Sequence, residues 1–235
     1  MKKNRMMRLA SGLLVAVLLT TCAISGTFAK YTTAGNTSDS ARVAEFGVVV
    51  NATADNIFDT KYSDEDANYS GMAVDAGTDD VVAPGTTKAN LTDLKLTGTP
   101  EVAVRVEYTA TLTLENWEDV DGNEYCPLIF TVESNEFKIG GKDLENNNIT
   151  TIAGLKAAVE AAVAKCSKDY EPNTNLELTA SETDAPTVTW SWPYYTSNDN
   201  DVKDTYLGDV AAGKYPGKDA ATVALTTNVT ITQIN

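Results

Sequence analysis

The densest chemistry in this 235-residue chain is an aromatic run, Trp190-Ser191-Trp192-Pro193-Tyr194-Tyr195. On a strand, Trp190 and Trp192 share a face. With Tyr194 and Tyr195 beside them, they could form a platform for sugar rings. The competing role is a core anchor at a strand end, with Pro193 stopping the ladder. Large aromatics dominate sandwich cores, so the core role is preferred.

Other reactive types are sparse. The chain has no histidine. That removes His-based zinc sites and the Ser-His-Asp and Cys-His nucleophile systems. No Gly-x-Gly-x-x-Gly or Walker-type phosphate loop is present. Acids are abundant, which gives a glycosidase-like carboxylate pair no distinguishing signal. No catalytic residue, metal site or cofactor is expected. Calcium has two candidate stretches, Asp119-Val120-Asp121-Gly122-Asn123-Glu124 and Asn198-Asp199-Asn200-Asp201. Neither fits a twelve-residue calcium loop, since Trp117 and Leu128 stand where ligands belong. Both are read as polar turns. Cys126 and Cys166 are the one pair that could form a disulfide after export, against an equal alternative of two buried thiols.

The elements that must position these residues are mostly strands. Val102, Val104, Val106, Tyr108, Ala110, Leu112 and Leu114 alternate with polar or small residues, the pattern of a long strand with one buried face. Val223, Leu225, Thr227, Val229 and Ile231 repeat it near the carboxy terminus. Further strands are expected at 42–51, 90–97, 128–134 and 187–192. Ala83-Pro84-Gly85-Thr86 reads as a turn with glycine at positive φ. Asp121-Gly122-Asn123 reads as a hairpin-like connection from the long strand to Leu128. Residues 55–80 read as a long surface loop with room for one short strand. One amphipathic helix is expected over about 151–166, capped by Thr150 or Thr151. Its apolar face carries Ile152, Leu155, Val159, Val163 and Cys166. Strands joined by polar turns, with one helical insertion, argue for a mainly β, antiparallel sandwich over residues 42–235. The helix is expected at one end or edge of a sheet.

The amino terminus carries Lys2, Lys3, Arg5 and Arg8, an apolar run from Leu13 to Ile24, and small residues up to Ala29. This is the layout of a secretory signal peptide over 1–29, cut between Ala29 and Lys30. The run is short for a bilayer span. Cleavage takes away four positive charges and no negative one, so the net charge moves from −15 to −19. Such acidity argues against nucleic acid and anionic membranes as partners. A flexible polar arm, 30–41, then leads into the first strand. With no carboxy-terminal tail or sorting motif in view, the mature chain is expected to be free of the membrane, secreted or at the cell surface.

The cleavage region Gly26-Thr27-Phe28-Ala29-Lys30-Tyr31-Thr32 resembles that of TasA/camelysin-type proteins, which a SipW-like signal peptidase processes. Val82-Ala83-Pro84-Gly85 and the long Val102–Leu114 strand are similar to the family's Pro-Gly turn and following strand. Trp190-Ser191-Trp192-Pro193-Tyr194-Tyr195 with Asp204-Thr205-Tyr206-Leu207-Gly208 resembles a pattern in clostridial members. The resemblance implies a jelly-roll sandwich and, from some members, a biofilm matrix fibre subunit rather than an enzyme. In such fibres the freed amino-terminal segment adds as a strand to the next subunit. Tyr31, Val43 and Phe46 are then the candidate donor side chains, and the partners are further copies of the chain. Metalloprotease activity described for camelysins does not carry over, because there is no histidine to bind zinc. The alternative is a monomeric surface module binding carbohydrate or another ligand through Trp190, Trp192, Tyr194 and Tyr195.

Overall fold

The computed structural model describes residues 32–35, 48–52, 57–62, 73–88, 94–176 and 186–234. Thr32–Asn235 forms one compact unit. Its first strands are β1 (Thr32–Gly35), β2 (Val48–Ala52), β3 (Lys61–Tyr62), β4 (Val74–Asp75), β5 (Thr87–Lys88) and β6 (Leu94–Gly98). Then come β7 (Val104–Glu115), β8 (Ile129–Val132), β9 (Asn135–Phe137), helix α1 (Ile152–Lys165) and β10 (Lys168–Tyr170). β11 (Val188–Ser191), helix α2 (Asn198–Ala211) and β12 (Thr222–Gln233) complete the order.

Alternation in β7 sets the frame. Val104, Val106, Tyr108, Leu112 and Leu114 are buried, while Arg105, Glu107, Thr109 and Thr111 face water. β12 runs antiparallel along all of β7, with Thr222 opposite Glu115 and Gln233 opposite Val104. One four-stranded sheet has the order β1–β12–β7–β10 and the other β5–β11–β8–β9. Two ribbons, β2–β6 and β3–β4, accompany them.

Val106, Tyr108 and Leu112 of the first sheet share one buried cluster with Phe130, Val188 and Trp190 of the second. Leu155, Val159 and Val163 of α1 join the same cluster. Each such side chain contributes about 1.5–3 kcal/mol by leaving water. The expectation of a mainly β sandwich with an amphipathic helix therefore holds. α1 starts where expected: Thr151 accepts a hydrogen bond from the Gly154 N–H at 3.0 Å, and Glu124 accepts from the Ile152 N–H at 3.0 Å. The turn at Pro84 also holds, with Gly85 at φ 87° and the Thr86 N–H donating to the Ala83 carbonyl.

Three expectations need correction. Asp121-Gly122-Asn123 closes a small antiparallel turn, with Glu118 opposite Glu124 and the Asp119 N–H donating to the Asn123 carbonyl, but it does not pair β7 with β8, which lie in different sheets. The stretch 55–80 holds two short strands, β3 and β4, paired with each other. Asn198-Asp199-Asn200-Asp201 is not a turn but the first turn of α2, capped by Ser197, whose Oγ accepts from the Asn200 N–H at 3.2 Å. Asp199 and Asp201 sit where the helix dipole favours negative charge. α2 closes in a Schellman arrangement: the Gly213 N–H donates to the Val210 carbonyl and the Lys214 N–H to the Asp209 carbonyl.

Candidate assembly edge

A sheet edge is a row of unpaired backbone groups, and proteins usually blunt it. This molecule does so unevenly. On one side of β7, β10 covers only Val104 to Val106. Beyond it, side chains from the α1 region take over. The Ser167 Oγ accepts from the Tyr108 N–H at 3.0 Å, and the Glu160 carboxylate accepts from the Leu112 N–H at 2.9 Å. The helix thus lies along the β7 edge, and its region supplies acceptors to two of that edge's N–H groups. A bidentate Arg105–Asp169 pair at 2.6 and 2.8 Å ties β10 down. In the second sheet, the edge strands β5 and β9 are only two and three residues long.

On the other side of the first sheet, the described residues cover only part of β12. β1 pairs with β12 through four residues, Thr32 opposite Thr232 and Gly35 opposite Val229. Among the described residues, no strand or helix covers Thr222 to Asn228 on that side. Antiparallel ladders alternate their bonding direction residue by residue. Tyr108 and Leu112 turn their N–H groups toward α1, and they stand opposite Val229 and Leu225. Odd-numbered residues of β12 therefore turn theirs outward, which makes Val223, Leu225 and Thr227 outward donors that no described strand or helix covers. The run Thr222-Val223-Ala224-Leu225-Thr226-Thr227-Asn228 contains no charge and no proline, the usual guards of an edge. Its inner row also loses cover: Val229 is fully buried, whereas Val223 and Leu225 are half-buried against the core.

The other sequence candidates fall elsewhere. Ala29, Lys30, Tyr31, Val43 and Phe46 lie outside the described residues. Trp190 is 1% exposed and Trp192 is 5% exposed, so they are core residues and not a surface platform. The Trp190 indole donates to the Ile57 carbonyl at 2.7 Å and packs against Phe58 and the edge of Tyr62. It thereby holds the β3–β4 segment down. Burial pushes the Tyr62 hydroxyl up to about 12. Tyr194 and Tyr195 are exposed, and the Tyr195 hydroxyl donates to Asn198 at the start of α2. Cys126 and Cys166 are free thiols and form no disulfide with each other. Burial raises Cys126 to about 12 and Cys166 to about 11, so both stay protonated at neutral pH. No helix among the described residues is long and apolar enough to cross a membrane.

Sequence reasoning missed the edge because an unpaired side of a strand has no signature in its own alternation. The signal that could have found it was the uncharged, threonine-rich stretch 222–228. No protein-family model, curated protein or solved structure matches the chain.

Proposed function

We propose that this chain is a secreted structural subunit, of the TasA/camelysin type, that assembles into extracellular fibres by lending its amino-terminal strand to a neighbouring copy. The observation that carries this reading is β1 on β12. Thr32–Gly35, two residues after the expected cleavage site, occupies the end of an edge that no other described strand or helix covers. A strand that pairs through backbone bonds at its own sheet can pair with the same edge of another copy.

The register makes exchange worthwhile. Continued beyond Gly35 in the same pairing, Asn36 to Arg42 would stand opposite Asn228 to Thr222. An arm from a neighbour, free of the need to return to its own β2, can then cover β12 from Thr232 to Thr222. The half-buried Val223 and Leu225 gain cover in that arrangement. Removal of residues 1–29 by a SipW-like signal peptidase places β1 two residues from a new, unencumbered terminus. Head-to-tail lending does not close on itself, so it builds a filament.

The test compares the chain starting at Lys30 with one starting at Arg42 by negative-stain microscopy over time. Fibres from the longer chain and none from the shorter are expected. Equal fibre formation by the shorter chain refutes strand lending by the arm.

A further inference from the structure

Three stretches far apart in sequence meet under α2. Asp204, Leu207, Gly208 and Ala211 follow helical spacing and share one face. With Trp117, Trp192 and the Val82-Ala83-Pro84 segment, that face lines a cavity of about 150 Å³. The indole rings of Trp117 and Trp192 stand 5.5 Å apart at 57°. Asp204 is the one ionisable side chain in the wall. Its Oδ1 accepts from the Tyr125 hydroxyl at 2.7 Å. The Trp192 indole N–H favours the charged carboxylate as well, although its approach lies outside ordinary hydrogen-bond geometry. A carboxylate offers about four acceptor positions, so capacity remains.

Two features bear on how a cation could reach and occupy this space. Glycine inside a helix is destabilising relative to alanine. A Cβ at Gly208 would meet nothing within 4 Å, so packing does not demand glycine there. Gly208 is exposed, so its missing side chain leaves the mouth of the cavity clear. The cation next to Asp204 in sequence, Lys203, is already engaged: it lies 3.6 Å from Asp119, 3.4 Å from Asp199 and 5.3 Å from the centre of the Tyr125 ring. Burial, with Asp201 adding to it, raises the Asp204 pKa above the usual carboxylate range, and a bound cation would relieve both.

We propose that the cavity binds a primary alkylammonium group, as carried by a lysine side chain or a free aliphatic amine. The methylenes would lie on the indole faces of Trp117 and Trp192, and the ammonium would meet the Asp204 carboxylate, joining cation–π attraction to a charge-assisted hydrogen bond. This holds whether or not the chain forms fibres.

Tryptophan fluorescence of the chain starting at Lys30 reads the site directly, since two indoles line it. Titration with n-butylammonium is expected to give a saturable change with a dissociation constant on the order of 1 mM, as suits so small a ligand. Neutral n-butanol is expected to give none. Asp204→Asn should weaken n-butylammonium binding by about tenfold or more. Gly208→Leu fills the cavity and should abolish the change while the circular dichroism melt persists. Nα-acetyl-lysine methylamide separates the sources: a response matching or exceeding that of n-butylammonium supports a lysine from a polypeptide, and a response to n-butylammonium alone supports a free amine. Equal responses to n-butanol and n-butylammonium, or unchanged binding in folded Gly208→Leu, overturn the proposal.

Discussion

Two loops of this protein are closed by the same side-chain device. The Asp119 carboxylate accepts from the N–H groups of Asp121 and Asn123 at 3.0 and 2.9 Å, and from the Asn123 amide. The Asp143 carboxylate does the same with Glu145 and Asn147 at 2.9 and 2.8 Å, and with the Asn147 amide. In each loop the fourth residue turns to positive φ, Gly122 at 78° and Asn146 at 67°. The carboxylates thus organise backbone donors inward, work that a cation-binding loop would give to carbonyl oxygens. Asn123 is the first cause holding Asp119 below its usual pKa, Asn147 does this for Asp143, and Arg105 for Asp169. The sign follows from linkage: these three contribute stability that is fully present above about pH 4 and is lost as pH falls through their lowered values. Asp204 has the opposite sign, because its raised pKa makes the fold gain from its protonation as pH falls. With three groups against one, Tm should fall between pH 4 and pH 2.5, and the fall should be shallower in Asp119→Asn/Asp143→Asn. A Tm that rises over that interval contradicts the assignment.

At the scale of elements, the two helices do different work. α1 is a core helix whose polar neighbours, Glu160 and Ser167, also serve the β7 edge. Replacing both with alanine leaves the Tyr108 and Leu112 N–H groups without their partners. The expected cost is roughly 1–3 kcal/mol for each, read by urea denaturation. A change near zero would show that water replaces both side chains without loss. α1 was legible in sequence because its apolar positions recur at helical spacing behind a threonine cap. α2 was not, since its first turn is Asn-Asp-Asn-Asp and only Tyr206, Leu207 and Val210 are buried. The legible signal was its capping serine followed by acids, which polar composition disguised as a loop. The long strands were legible for the same reason as α1: burial of one face writes a period into the residues. Edge status, the division of strands between sheets and the cavity under α2 were not, because each depends on partners distant in the chain. Val102 to Leu114 reads as a strand whatever lies beside it.

For the whole molecule, the imbalance between its edges decides how it can associate. Among the described residues, one long edge is lined by α1, the second sheet ends in very short strands, and β12 is left uncovered beyond Asn228 toward Thr222. Under the proposed strand lending, that edge would give association one direction. Proline placed at Thr227 removes an outward donor and leaves the β7 ladder intact. Fibre growth followed by light scattering should slow about tenfold, with fold stability changed by less than about 1 kcal/mol. Proline at Ala224 removes a donor to β7 and should cost the fold about 3 kcal/mol or more. Equal effects of the two substitutions on the circular dichroism melt would refute the assigned bonding direction. The shortness of β1 has a kinetic meaning. Under the proposed strand lending, a tethered strand that meets its own edge at about millimolar effective concentration would make each copy its own chain stopper. A neighbour's arm displaces β1 only by pairing over more of β12 than the four residues that β1 holds. On the same proposal, freed subunits should persist as self-capped monomers when dilute, with growth beginning above a threshold concentration that the strand itself sets.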